Sequence, residues 1–477
     1  MYRMRQSQKR HVRCLRLLCG NAGSGKEELL SGSSEKVVKI KMKKMTYILM
    51  ISAVVFLGAC GCGQATKPVF LPLQTEVSPE EMQPAIITAA NTAADTPAST
   101  PIAADILMST ATITPTPTPK PTATVTPTPT PKPSATLTMV GDILLHTRIH
   151  TYSKQEDGSY NYDAVFAGLS EEISAADIAL VNQEVVLGGK ELGISGYPSF
   201  NAPKEAGDAL VKAGFDVILH ATNHALDKKA KGVRNTLKFW EENYPEIGVL
   251  GIHDSAEDQN EIYVTTINGI RIAVLNYTYG TNGIAMPGDM PYAVDMLKEA
   301  AVIEDIQQAK QLADFVIVAP HWGTEYRLTP DSSQKKWTKL FLEQGVDLVL
   351  GTHPHVIEPV EMLSRQESDE QMLVFYSIGN FVNWTSGAGK DVANRMVGGM
   401  PVVTIEMDEH GNAYIADYYI RAVVCHVEEK TNGITVYPLS EYTEELAAQN
   451  AIRSQDKNFS LEYCRELCNK VFGEIWR

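Results

Sequence analysis

At 477 residues, 44% hydrophobic and 21% charged, the chain has an ordinary globular composition with room for one large domain or two moderate ones. Its net charge of -15 is unevenly spread: residues 1–45 hold 12 of the 42 Lys/Arg but only 3 of the 57 Asp/Glu, leaving 30 basic and 54 acidic residues in the body. So acidic a body excludes nucleic acid as the main partner, because that role needs a basic surface.

Residues 20–27, GNAGSGKE, come within one residue of a phosphate-binding P-loop. Glu27 stands where Ser or Thr would hold Mg²⁺, and no apolar strand leads into the run, so no nucleotide site is expected there. From Met42 the chain reads as a targeting signal: a basic start, an apolar run from Tyr47 to Leu57, then small residues. The run is too short to span a bilayer comfortably as a mature helix. Leu57-Gly58-Ala59-Cys60 resembles the lipobox of bacterial lipoproteins, which implies acylation of Cys60 and a lipid anchor on the outer face of the cell membrane. On this reading translation begins near Met42, residues 1–41 are a non-native extension, and 42–59 are the signal peptide.

Residues 60–135 are rich in Thr, Pro and Ala and culminate at 114–133 in TPTPTPKPTATVTPTPTPKP. Such a segment cannot bury a core and is expected to be a disordered, polyproline-like tether. At about 3.1 Å per residue the Thr-Pro run alone reaches roughly 60 Å. Cys464 and Cys468, four apart on an expected C-terminal helix, suit packing at least as well as a bridge. With no CxxC pair, any metal must rely on His and carboxylate.

From Thr136 the texture changes. ATLTMVGD, ADIALVNQE, FDVILHATNH, ADFVIVAPHWG and VDLVLGTHPH each read as a buried strand ending in polar residues. Helical patterns lie between them, as at 202–214 and 331–345, the latter with Asp331 or Ser332 as N-cap. Strand–helix alternation predicts an α/β (α+β) domain over 136–384. The remaining 385–477 should add two or three antiparallel strands, with a turn at His410-Gly411-Asn412, and helices near 440–448 and 460–471, packed on the same domain.

Each of the five strands ends in N/O donors: Asp142; Asn182 and Glu184; Asn223 and His224; His321; His353 and His355. In α/β folds functional side chains gather beyond the carboxyl ends of strands. Singly each has a plain structural reading: Asp142 as a turn residue, Asn223-His224 as a helix cap, His321-Trp322 as a packing pair. Five in succession point to a divalent metal such as Mn, Fe or Zn, held by imidazole and carboxylate. Two such ions about 3.5–4 Å apart are suited to phosphoryl displacement. In an extended backbone His353 and His355 would point to one side, about 6.5–7 Å apart, and Pro354 favours that geometry at His353.

In this order MVGDILLHTR, VNQEVVL, ATNHALD, HWGTEY, GTHPHVIEPVE and YSIGNFV resemble the capsule-synthesis CapA family of poly-γ-glutamate biosynthesis. That family belongs to the calcineurin-like metallophosphoesterase superfamily, and the match runs from Thr136 to Val382. The resemblance implies two mixed sheets packed face to face with helices outside, and one or two divalent ions. It implies that Asp142 binds one ion, Glu184 bridges both, Asn223, His321 and His353 bind the second, and His355 joins the first. His224 would then be the general acid or hold an oxyanion, with Asp227 orienting it.

One departure matters. The superfamily's first motif is Asp-x-His, whereas Leu144 stands two residues after Asp142. The first ion thereby loses an imidazole, which implies a weaker first site or a single-metal centre. His146 is the candidate substitute, with Arg148 nearby; His253 and Glu325 are further candidates, and Tyr326 and Asn380 lie on loops near the same edge. His150, His220, His410 and His426 are read as structural or surface residues. The resemblance implies a hydrolase acting on an anionic envelope or capsule polymer or a phosphoester, with membrane capsule-synthesis proteins as partners. The alternative is a non-catalytic assembly or polymer-binding factor that keeps the metal site.

Overall fold

A computed structural model describes residues 132–365, 370–429 and 433–477. The P-loop-like run, the signal peptide, Cys60 and nearly all of the expected tether lie outside the described residues. The first strands in chain order are β1 (Ser134–Ile143), β2 (Ile178–Asn182), β3 (Val217–Leu219), β4 (Gly248–Leu250), β5 (Tyr263–Ile267) and β6 (Ile270–Thr278). There follow β7 (Phe315–His321), β8 (Leu348–Leu350), β9 (Val360–Ser364), β10 (Gln371–Phe375) and β11 (Asn380–Val382). The last three are β12 (Val397–Met407), β13 (Ala413–Glu428) and β14 (Gly433–Pro438). β1 begins two residues inside the segment expected to be linker.

The strands form two mixed sheets. One runs β14-β13-β12-β1-β2-β3-β4, with β11 also pairing β1; the other runs β5-β6-β7-β8-β10-β9. β1 to β4 are mutually parallel, while β12 pairs antiparallel with β1. The C-terminal strands therefore continue the first sheet rather than founding a second core.

Side-chain alternation explains why the strands read as unbroken apolar runs. Along β7, Phe315, Ile317 and Ala319 join the core shared with Leu137, Leu180 and Ile218 of the first sheet. Val316 and Val318 face the other way, into a second cluster with Val302, Ile306 and Ala309 of the helix Glu299–Leu312 and Phe341 of the helix Ser332–Gln344. Both faces are covered, so both must be apolar. Asp331 caps the latter helix, its carboxylate accepting from the backbone of Gln334 while the Gln334 side chain accepts from Asp331 N–H. The chain ends in the helices Glu444–Gln449 and Leu461–Phe472.

Candidate metal centre

The sheets bring their carboxyl edges together at one place. β1, β2 and β3 deliver Asp142, Glu184, Asn223 and His224 from one side; β7 and β8 deliver His321, His353 and His355 from the other. Close approach at Asp142 depends on glycine. A Cβ on Gly141 would sit 1.9 Å from the carbonyl oxygen of Gly379, the group that accepts Asp142 N–H at 3.1 Å. The Asp142 carboxylate then accepts from Asn182 Nδ2 at 2.7 Å, His355 Nδ1 at 2.9 Å and the His353 backbone N–H at 3.3 Å.

These contacts orient the rings. His355 Nδ1, between Asp142 and Asn380 Oδ1 at 3.0 Å, leaves Nε2 pointing inward, 3.7 Å from Glu184 Oε1. His321 Nδ1 lies 3.0 Å from Thr352 Oγ1, and its Nε2 is also 3.7 Å from Glu184 Oε1 and 2.9 Å from Asn223 Oδ1. Fixing one ring nitrogen to aim the other is how metal-binding histidines are positioned. Glu184 thus sits between two inward-facing imidazoles with neither carboxylate oxygen hydrogen-bonded, although it is only 1% exposed. His353 Nδ1 is likewise buried and unpartnered. Buried polar atoms normally have partners, since leaving a carboxylate without one costs several kcal/mol. Donor atoms of Asp142, Glu184 and His355 all lie within 4.8 Å of one another, as do those of Glu325, His353 and His355. The residues present fit a divalent cation.

Protonation follows from the same packing. Burial holds His321 and His353 well below the usual imidazole value, reinforced by neighbouring histidines, which favours the neutral ring in both. Burial also opposes charge on His355, but Glu184 and Asp142 outweigh it and push the ring up to about 9. Glu184 is raised well above the carboxylate range by burial, an effect that His355 opposes and Asp142 reinforces.

Beside the cluster, His224 Nδ1 meets Asp227 Oδ2 at 2.7 Å, and the same oxygen accepts Phe200 N–H at 2.6 Å. Phe200 packs edge-on against the imidazole, 4.7 Å between centroids. Asp227 thus holds the ring by Nδ1, and no hydrogen bond to Nε2 is found among the described residues. Asn282 bridges Asn223 and His224, its Oδ1 accepting from Asn223 Nδ2 at 3.2 Å and its Nδ2 lying 3.4 Å from His224 Nδ1. Tyr279 stacks obliquely on His353 at 4.5 Å. Neither Tyr279 nor Asn282 was singled out by sequence, although the apolar run of β6 leading into YTYGTN is the same signal that marked the other five strand ends.

Two expectations change. His353 and His355 are not in an extended stretch: their φ angles are +97° and +59°, and the ring centroids are 5.7 Å apart. The turn must carry β8 into β9 while keeping both imidazoles inside, and left-handed backbone at two non-glycine residues is strain of the kind functional sites retain. His253 is not a free pocket histidine. Asp258 and Asp295 hold its two ring nitrogens at 3.1 and 2.6 Å, so no lone pair remains for a metal. Glu325, exposed, brings a carboxylate oxygen within 4.8 Å of donor atoms of His353 and His355.

Leu144 is buried in the core and donates no ligand. His146 lies near His355 and His224, close enough that their charges, after burial, depress its pKa to about 4; its buried Nε2 has no partner. Tyr326 approaches His355, 6.0 Å between centroids, and Asn380 braces the His355 backbone through Nδ2 at 3.1 Å. His150, His220 and His426 bond to Tyr162, Trp240 and Tyr442 in the core, and His410 is exposed in the turn before β13. Cys425, Cys464 and Cys468 are buried free thiols.

The sequence model of the family described as bacterial capsule synthesis protein PGA_cap matches residues 136–385. The chain is 31% identical over 261 residues to the capsule biosynthesis protein CapA of Bacillus anthracis, a match covering 52% of this chain and 60% of that one. It is 29% identical over 262 residues to the PGA biosynthesis protein CapA of Bacillus subtilis (strain 168), covering 52% and 64%. The chain thus spans less than two thirds of either relative. Among solved structures, NAD nucleotidase (NadN) of Haemophilus influenzae aligns over 72% of this chain and 63% of its own, with a TM-score of 0.40 at 12% identity. A purple acid phosphatase from yellow lupin aligns over 62% and 52%, with a TM-score of 0.27 at 10% identity. Likenesses this distant carry no argument about chemistry.

Proposed function

The chain belongs to the bacterial capsule synthesis PGA_cap family, and on that premise we propose that it is a metal-dependent hydrolase of metallophosphoesterase type working in capsule or poly-γ-glutamate biosynthesis. The observation that carries this is Glu184: a buried carboxylate with two unpartnered oxygens, 3.7 Å from inward-facing Nε2 atoms of both His321 and His355. A divalent cation bound there supplies Lewis-acid polarisation of a phosphoryl oxygen. Asp142 and Asn380 orient His355, Thr352 orients His321, and Asn282 holds Asn223 beside His224. His224 Nε2 is the atom that hands a proton to the leaving oxygen, and Asp227 fixes the ring for that transfer through Nδ1.

The substrate is an anionic capsule or envelope polymer or a phosphoester. The Leu57–Cys60 motif and the Thr-Pro run support a lipid-anchored position on the outer face of the bacterial membrane, beside membrane capsule-synthesis proteins. Leu144, standing where an imidazole ligand is usual, favours a second reading in which the site binds polymer without cleaving it. Purified protein loaded with Mn²⁺, Fe²⁺ or Zn²⁺ should hydrolyse a generic phosphodiester or poly-γ-glutamate, and His224→Ala and His353→Ala should each abolish it. If both variants leave turnover and capsule production intact, the hydrolase reading fails.

A further inference from the structure

Arg395 sits on the short turn Val392–Met396, beyond the segment that the family model matches. Its guanidinium carbon lies 3.5 Å from the centroid of the Tyr326 ring, which in turn lies 6.0 Å from the ring of His355. Its carbonyl accepts Asn380 Nδ2 at 3.0 Å, the same amide that braces the His355 backbone. Nη1 donates to Thr385 Oγ1 at 3.3 Å. The turn is buttressed from the C-terminal helices: Gln455 Nε2 donates to the carbonyls of Thr385 and Gly387, and Tyr463 Oη to Asn394 Oδ1.

What the guanidinium lacks is an anion. Arg148, Arg234, Arg271, Arg365 and Arg421 each have a carboxylate within 4.0 Å. Arg395 forms no ion pair among the described residues, and its buried Nε has no acceptor. Nη2 has no acceptor among the described residues either and, unlike Nε, is not enclosed. The body holds 54 acidic residues against 30 basic ones, and an arginine beside the metal-ligand cluster with no ion pair among the described residues leaves its charge for an external anion. The planar guanidinium fork takes a carboxylate or phosphoryl oxygen through charge-assisted hydrogen bonds. Stacking on Tyr326 fixes the plane of the fork, and Tyr326, 45% exposed, puts it at the mouth of the site.

We propose that Arg395, stacked on Tyr326, is the oxyanion-binding residue of this site and holds a phosphoryl or carboxylate oxygen of the substrate through its Nη2. This deepens the proposed function and rests on it for the identity of the site, though binding needs no turnover. It also gives the C-terminal helices a purpose, since they hold the turn that carries the arginine.

The test titrates full-length, metal-loaded protein with inorganic phosphate and, separately, with a short γ-linked glutamate oligomer, in wild type, Arg395→Met and Arg395→Lys. Arg395→Met keeps an unbranched stem against Tyr326 and should weaken at least one probe by about 10- to 100-fold, with metal content and thermal midpoint unchanged. Arg395→Lys, a point charge without the fork, should recover only part of the loss. Loss confined to phosphate identifies a phosphoryl subsite, and loss confined to the oligomer a carboxylate subsite. Should Arg395→Met fold poorly, Tyr326→Leu at its exposed position removes the stack and should weaken binding several-fold. Affinities within twofold of wild type in folded Arg395 and Tyr326 variants overturn the proposal, as does wild-type protein that binds neither probe. Arg395-dependent binding without hydrolysis would sink the hydrolase reading and leave this one standing; hydrolysis with KM untouched by Arg395→Met does the reverse.

Discussion

His253 offers a test of the structure away from the metal centre. The ring is buried, and burial alone opposes its charge, yet Asp258 and Asp295 more than compensate and raise it from 6.5 to about 9. At about 1.4 kcal/mol per tenfold change, that difference corresponds to roughly 3 kcal/mol of folding free energy. The Asp258 side chain is 45% exposed, so solvent screens its share and about 2 kcal/mol is a fairer figure. The sign follows from the direction. A group bound more tightly to its proton when folded stabilises fully below pH 6.5, loses that contribution as pH rises, and has none left above about 9. His253→Gln, neutral at every pH, should therefore unfold about 2 kcal/mol more easily than wild type at pH 6 and within about 0.5 kcal/mol of it at pH 9.5. Urea titrations of both proteins at the two pH values and equal ionic strength measure this. A stability gap that is the same at both pH values, or wider at pH 9.5, would refute the ion-paired assignment.

Other predictions concern the site. Asp227→Asn should lower turnover by about 100-fold while leaving metal content unchanged, because the ring loses its orienting acceptor; a rate within threefold of wild type would argue against the dyad. Mn²⁺ at about 100 times its dissociation constant should stabilise wild type by about 2.7 kcal/mol, and Glu184→Gln should abolish that rise in thermal midpoint, which a metal bound elsewhere would not do. Gly141→Ala should cost about 2–3 kcal/mol and impair metal uptake, since its Cβ would meet the Gly379 carbonyl at 1.9 Å; a well-folded, metal-replete variant would show that the β1–Gly379 approach is not required.

Much of the site was legible because the strands that deliver it are covered on both faces. β1, β2, β3, β7 and β8 announce themselves as apolar runs, even though β3 and β8 are only three residues long, and each run stops where a donor begins. The two sheets and the helices outside them match what the motifs implied. Backbone conformation at the His353-Pro354-His355 turn was not legible: local preference favours extended geometry, but closure of the turn between β8 and β9 wins and forces positive φ. Nor could pairings across long separations be read. His253 looks like a pocket histidine until Asp295, 42 residues on, takes its ring nitrogen. Arg395 looks like any surface cation until the fold lays it on Tyr326.

The central claim is that Glu184 and the surrounding histidines hold a divalent metal. Elemental analysis of wild type and Glu184→Gln, each equilibrated with Mn²⁺, Fe²⁺ or Zn²⁺ and freed of loose ions by gel filtration, tests it most directly. The account predicts at least one ion per wild-type chain and none in the variant. A wild type that retains no ion, or a Glu184→Gln protein that retains as much as wild type, would contradict it.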